Sequence, residues 1–219
     1  MCPSPVFDYM RFYHFSYAEQ GDAKNIFSLF YHAFNSKFQT MLPENPEKAF
    51  ILYYEYFKKG LQKKKNRIIL IRNNRKTIIG FLALEGLGVP FFSGNPSLAT
   101  VAKTINIVGL RKFFRLFLGM LLIEGYPPSN EFLYINTIII DEKYRRKGLG
   151  KKFISLAEQI AEKRHLKGIC LYVDIGNLPA MRFYEKLNFK KESGFGGDFL
   201  RKSIGVKYYS YQYKILLQS

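Results

Sequence analysis

Leu133-Tyr-Ile-Asn-Thr-Ile-Ile-Ile140, Asp141-Glu-Lys-Tyr-Arg-Arg-Lys-Gly148 and Leu149-Gly-Lys-Lys-Phe153 follow one another without a break, and together they decide the fold. The first run is almost wholly apolar, which predicts a strand buried on both faces. Leu149, Phe153, Leu156, Ala157 and Ile160 recur at helical spacing, and Lys163, Arg164, Lys167 and Gly168 close that helix. Between strand and helix lies the turn Arg145-Arg-Lys-Gly148-Leu-Gly150, an R-x-x-G-x-G pattern. A strand–turn–helix junction of small and basic residues presents backbone N–H groups and a positive helix end to an anion. A short glycine pattern is weak by itself, so its surroundings decide its meaning.

Downstream, Ile169–Val173 reads as another strand, and strand–helix–strand of this length predicts a right-handed parallel crossover. Asn177 is placed to cap a helix through Leu187, with Asn188 suited to the left-handed position that ends it. Tyr209, Tyr211, Tyr213 and Ile215 alternate as a closing strand. Upstream, Arg67–Arg72 and Thr77–Glu85 form a hairpin about Asn73-Asn74. Val6–Phe15 suggests a first strand. Helices follow from an Asp22 cap (Ile26, Leu29, Phe30, Ala33) and from Asn45-Pro46-Glu47 (Ala49, Phe50, Tyr53, Tyr56, Phe57). Gly86, Gly88, Pro90, Gly94 and Pro96 interrupt regular structure. Ser97–Glu124 then carries Leu110, Phe113, Phe114, Phe117, Leu118, Leu121 and Leu122 on one helical face, with Arg111, Lys112 and Arg115 off it. That stripe is expected in the core, with docking on an anionic membrane as the other reading. No repeat or linker divides the chain, which reads as one mixed α/β domain over 1–219.

Composition limits the function classes. With 219 residues and 47% apolar content the chain can bury a sizeable core. Two cysteines, Cys2 and Cys170, make no disulfide framework. The start lacks the pattern of a signal peptide, and no uncharged stretch reaches the length of a bilayer span. These features predict a soluble, cytoplasmic protein. The net charge of +17, from 34 Lys+Arg against 17 Asp+Glu, favours anionic partners such as nucleic acid, ribosome, acidic lipid or a polyphosphate cofactor. Charge of this kind identifies no site.

A second motif follows the Ile169–Val173 strand: Asn177-Leu-Pro-Ala180-Met-Arg-Phe-Tyr184-Glu-Lys-Leu-Asn188-Phe189. It resembles the N-x-x-A-x-x-x-Y-E-x-x-G-F element of the GCN5-related N-acetyltransferases (GNAT). The R-x-x-G-x-G turn resembles that family's pyrophosphate-binding turn. Both motifs stand in the family's order, one helix and one strand apart, and the resemblance extends over about residues 131–192. It implies an α+β fold: a mixed, mostly antiparallel central sheet with a parallel strand–helix–strand core and flanking helices. Residues 88–130 read as a helical insertion. Asn188 replaces the family's glycine, a mild change because Asn also tolerates positive φ. Some members carry a catalytic glutamate on the central strand, where this chain has Tyr134, so that base does not carry over.

The resemblance implies an N-acetyltransferase moving an acetyl group from acetyl-CoA directly to a primary amine, on a small molecule or a protein. Arg145, Arg146, Lys147, Gly148, Leu149, Gly150 and Lys151 would hold the pyrophosphate. The backbone of Ile138, Ile139 and Ile140 would meet the pantetheine arm, and Asn177 and Ala180 would lie beside the cofactor. Tyr184 is expected to protonate the leaving thiolate; spacing alone would make it a packed helix aromatic. Glu85 and Glu131 are the candidate bases, though each also reads as a surface carboxylate. No metal-ligand pattern occurs. The rival reading is a non-catalytic module that senses CoA or binds nucleic acid or ribosome through its basic surface. The sequence leaves the oligomeric state open, a dimer included.

Overall fold

Short apolar runs punctuated by turns build one mixed sheet in the computed structural model, which describes residues 12–33, 54, 68–84, 98–111, 113–114, 131–174, 176–195 and 210–217. In chain order the elements are β1 (Tyr13–Tyr17), α1 (Ala23–Ala33), β2 (Ile68–Asn73), β3 (Ile78–Leu84), α2 (Leu98–Val108), β4 (Phe132–Ile140), α3 (Leu149–Lys163), β5 (Gly168–Asp174), α4 (Leu178–Glu185), β6 (Lys190–Phe195) and β7 (Ser210–Leu216). The strands form a seven-stranded sheet in the order β1-β2-β3-β4-β5-β7-β6. Every neighbouring pair is antiparallel except β4 and β5, which run parallel. The expected mostly antiparallel sheet with a parallel strand–helix–strand core is therefore the observed one.

The β2–β3 hairpin turns on Asn73, whose side-chain oxygen accepts from the N–H groups of Arg75 and Thr77 at 3.0 Å each. An asparagine bonding its own turn in this way holds two strands in register. Asp22 accepts from the Glu19 N–H at 3.0 Å and from an Arg72 guanidinium nitrogen at 2.7 Å, which ties the α1 entry to β2.

Two cores lie on opposite faces of the sheet. Leu133, Ile135, Ile169, Leu171 and Val173 pack under Leu149, Phe153, Ile154, Ala157 and Ala161 of α3. On the other face, Ile68, Leu70, Phe81, Ala83 and Ile139 pack under Ala23, Ile26 and Phe27 of α1 and under Val108 of α2. The register slips between Ala83 and Leu84, which pair with Thr137 and Ile135 and leave Asn136 as a bulge. The extra residue inverts the side-chain alternation. Leu133 and Ile135 therefore share the α3 face with Ile138 and Ile140, while Tyr134, Thr137 and Ile139 share the α1 face.

Several expectations need correction. The central strand is not buried on both faces: Leu133, Ile135 and Ile139 are buried, but Tyr134, Asn136 and Thr137 are only half-buried. Of the segment expected as helical over 97–124, residues 98–111 and 113–114 are described, and within them α2 ends at Val108, where Gly109 follows at φ 79. A fresh helical turn begins where the Phe113 N–H bonds the Gly109 carbonyl at 2.9 Å. Phe113 is buried, as a core stripe requires, but Leu110 and Phe114 are 57% and 53% exposed. The rest of that stripe, the first-strand residues before Phe12 and the helix from Asn45 lie outside the described residues, apart from Tyr54. The strand β6 was not expected at all.

Candidate active site

The turn between β4 and α3 is built by its own side chains. Asp141 accepts from the Lys143 N–H at 3.0 Å and starts a short 3-10 turn over Glu142–Tyr144. Arg145 then returns its guanidinium to the end of β4, donating from Nε to the Ile140 carbonyl at 3.1 Å, with the Glu142 carboxylate at 3.9 Å. Arg146 and Gly148 both adopt left-handed backbone, at φ 61 and φ 76. A Cβ on Gly148 would meet nothing within 4 Å, so the glycine is there for its dihedral angle and not for space. Gly150 is different: a Cβ there would lie 3.0 Å from the Phe183 ring, so its bareness lets α3 approach α4.

These conformations aim amides outward. The N–H groups of Leu149, Gly150 and Lys151 belong to the first turn of α3, where no intrahelical acceptor exists. Among the described residues no acceptor meets the N–H groups of Arg146, Lys147 or Gly148 either. Arg145, Arg146, Lys147 and Lys151 surround this concavity with exposed side chains. Lys147 places its ammonium 5.2 Å from the Tyr144 ring centre, and the Tyr144 hydroxyl accepts from the Asn73 amide at 3.2 Å. Six consecutive amides and a positive helix end in a cationic setting suit a polyphosphate.

Beside the turn the sheet opens. The parallel ladder runs only from Phe132↔Gly168 to Ile135↔Leu171, after which β4 and β5 part. The Asp141 N–H bonds the Ile79 carbonyl at 2.8 Å, and Gly80 lies opposite Ile140. Antiparallel alternation then turns the backbone groups of Ile139 towards β3 and those of Ile138 and Ile140 towards the opening. Ile139 therefore differs from its two neighbours: its backbone is spent on β3 and its side chain is buried under α1.

The second motif forms α4. Asn177 caps it, accepting from the Ala180 N–H at 3.2 Å, and Pro179 sits in the first turn. Asn188 ends the segment at φ 64, with the Phe189 N–H returning to the Tyr184 carbonyl at 3.1 Å. Tyr184 is buried between Phe183 and Phe189, whose ring centres lie 5.1 and 5.5 Å away. Burial pushes its phenol well above its ordinary range and holds it protonated. Tyr184 and Leu149 belong to one continuous core, against which Ile138, Ile140 and Ala180 also pack.

Of the two candidate carboxylates, Glu131 stands apart from this assembly. Glu131 precedes β4, is exposed, and pairs with Lys167. Along nine strand residues it stands about 30 Å from the turn. Glu85 lies outside the described residues. What the sequence did not single out is Tyr172, whose ring meets Tyr134 edge to face at 5.9 Å. Burial is the main cause that raises the Tyr134 phenol, with Tyr172 and Cys170 adding to it. Among the described residues no cluster of side chains suits a metal ion, and no helix is long and apolar enough to cross a membrane.

Known proteins match this geometry. The family model described as the acetyltransferase (GNAT) family matches residues 27–189. The spermine/spermidine N(1)-acetyltransferase of Bacillus subtilis is 35% identical over 82 residues, 36% of this chain and 51% of that protein. An acetyltransferase of Agrobacterium fabrum is 34% identical over 65 residues, 30% and 46% of the two chains. The chain thus spans about half the length of these curated relatives. Among solved structures, the ribosomal-protein-S18-alanine N-acetyltransferase of Escherichia coli superposes with a TM-score of 0.52 at 15% identity, covering 94% of this chain and 95% of that one. A spermidine N-acetyltransferase variant from Vibrio cholerae gives 0.55 at 16% identity, with 94% of each chain covered. At such identities these two likenesses speak to the fold alone. Acetyl-CoA is the cofactor of acetyltransferases with this domain. The glycine turn, the parted strands and the match over residues 27–189 agree: the chain belongs to the GNAT family of acetyltransferases.

Proposed function

We propose that the protein is an N-acetyltransferase that moves an acetyl group from acetyl-CoA to a primary amine without a covalent enzyme intermediate. The observation that carries this reading is the row of outward amides from Arg146 to Lys151 beside the parted ends of β4 and β5. When bound, acetyl-CoA supplies an activated acetyl thioester. The amides and the Arg145, Arg146, Lys147 and Lys151 cations hold the pyrophosphate. The backbone groups of Ile138 and Ile140 line the opening and fix an extended, amide-bearing arm by strand-like hydrogen bonds. Asn177 keeps α4 capped, so Ala180 and Tyr184 stay against the α3 entry. The Tyr184 hydroxyl, kept protonated by burial, gives its proton to the leaving sulfur. Cys170 is buried and in no disulfide, which suits the reducing cytoplasm where this reading places the protein.

Calorimetric titration of the nucleic-acid-free protein with acetyl-CoA tests the reading, with Gly148→Glu as the comparison. The substitution puts a side chain where φ is 76 and an anion among the amides. Micromolar binding that disappears in Gly148→Glu, with the circular dichroism of the fold retained, is the expected result. An unsubstituted protein that ignores acetyl-CoA would refute the proposal.

A further inference from the structure

Two rings stand where β4 and β5 part, and the transfer described above uses neither. Tyr134 pairs with Cys170 in the parallel ladder, and Tyr172 stands two residues further along β5, just past the last pair, Ile135↔Leu171. Strand residues two apart share a face, so Tyr134, Cys170 and Tyr172 all lie on the side away from α3. The α3 side is filled by Leu149, Phe153 and Tyr184. On the other side Cys170 is fully buried, while the Tyr134 and Tyr172 rings remain half-buried and meet at 68° with centres 5.9 Å apart. Both rings therefore stand beside the opening on the face away from the packed α3 core.

We infer that Tyr134 and Tyr172 form the floor of the acceptor subsite, and that the acceptor is a primary monoamine bearing an aromatic or apolar group; this rests on the acetyl-transfer reading. An edge-to-face pair offers ring surface to one apolar body and to one ammonium group. It offers no anionic charge for a second or third ammonium. Burial raises the Tyr134 phenol above its ordinary range, so Tyr134 brings no charge to the floor at neutral pH. The exposed Arg145, Arg146, Lys147 and Lys151, within a net charge of +17, oppose a polycation more strongly than a monocation. The expected acceptor therefore differs from the polyamines named for two of the similar proteins. In the transfer, the amine nitrogen bonds the acetyl carbon and the carbon–sulfur bond breaks. Sulfur keeps that electron pair and gains a proton, nitrogen loses one, and nothing is oxidised or reduced.

Release of the free CoA thiol is measured with phenethylamine and with spermidine, on the full chain and on Tyr172→Ala. The expected kcat/KM for phenethylamine exceeds that for spermidine by at least about tenfold. Tyr172→Ala lowers the phenethylamine value by about tenfold, chiefly through KM, and moves the acetyl-CoA Kd by less than about twofold. Equal or faster use of spermidine by the unsubstituted chain overturns the inference while leaving acetyl transfer standing. So does a Tyr172→Ala loss that falls equally on both amines. Failure of the unsubstituted chain to bind acetyl-CoA, read separately by calorimetry, removes the acetyl-transfer reading and this inference with it.

Discussion

Tyr184→Phe removes one oxygen and keeps the ring, which separates what Tyr184 packs from what it donates. The ring is 9% exposed, and its neighbours Phe183 and Phe189 lie 5.1 and 5.5 Å away centre to centre, contacts that phenylalanine reproduces. Losing the hydroxyl costs at most the net contribution of one hydrogen bond, about 0.5–1.5 kcal/mol. For a chain of this size that lowers Tm by about 1–6 °C. Loss of a general acid is a larger and different effect, about 10²- to 10⁴-fold in turnover. The two differ in observable as well as scale. With saturating acetyl-CoA and amine, kcat measured by thiol release is expected to fall at least about tenfold, the lower bound allowing for water as a substitute donor. The acetyl-CoA Kd from calorimetry stays within about twofold, because the deleted group meets the sulfur only as it leaves. An unchanged kcat beside a lowered Tm would refute the donor role and leave Tyr184 as a packed aromatic.

Gly168→Ala is expected to destabilise the sheet by about 2–4 kcal/mol, as an overpacking strain with loss of adjoining ladder bonds. Its Cβ would stand 1.9 Å from the Ile215 carbonyl oxygen, in a strand held on both sides; urea unfolding checks this, and a shift below about 1 kcal/mol contradicts it. Stability is also expected to fall as the pH rises above about 10. Burial raises the Tyr134 and Tyr184 phenols from the ordinary 10.0, so in that range the unfolded chain releases protons that the folded chain retains. Below it both states are protonated, and these groups contribute no pH dependence. A urea midpoint that is flat from about pH 8 to 10 and then declines fits this account; one that climbs beyond pH 10 does not.

The β4–turn–α3–β5–α4 unit was legible because several local signals agree there: an apolar run, a basic glycine turn, a helical stripe and two asparagines at helix ends. Asn188 at φ 64 and the Asn177 cap are properties a residue declares by its own chemistry. Features that depend on a partner strand were not legible. The bulge at Asn136 is a relation between β3 and β4, and it changes which isoleucine faces which core. Tyr172 reads as one more residue of an apolar strand until pairing with β4 sets it beside Tyr134. β6, Lys-Lys-Glu-Ser-Gly-Phe, has no apolar alternation and is a strand only because β7 supplies its hydrogen bonds. Leu110, Phe113 and Phe114 fall on one helical stripe, yet of these three only Phe113 is buried, because spacing alone does not fix how much of a stripe a neighbouring element covers. Glu131 was a candidate on sequence proximity alone, and pairing with Lys167 engages it at the far end of the strand.

The late strand β7 lies between two earlier ones, pairing along β5 from Gly168↔Leu216 to Asp174↔Ser210 and along β6 on its other side. A ribosome extends the chain at about 5–20 residues per second. For seconds after β5 has emerged, its outer edge stays unpaired over its whole length, and β6 has nothing to join. Open strand edges recruit other chains. The half of the sheet beyond β5 is therefore completed only after translation has passed residue 216, and until then the outer edge of β5 is open to pairing with other chains.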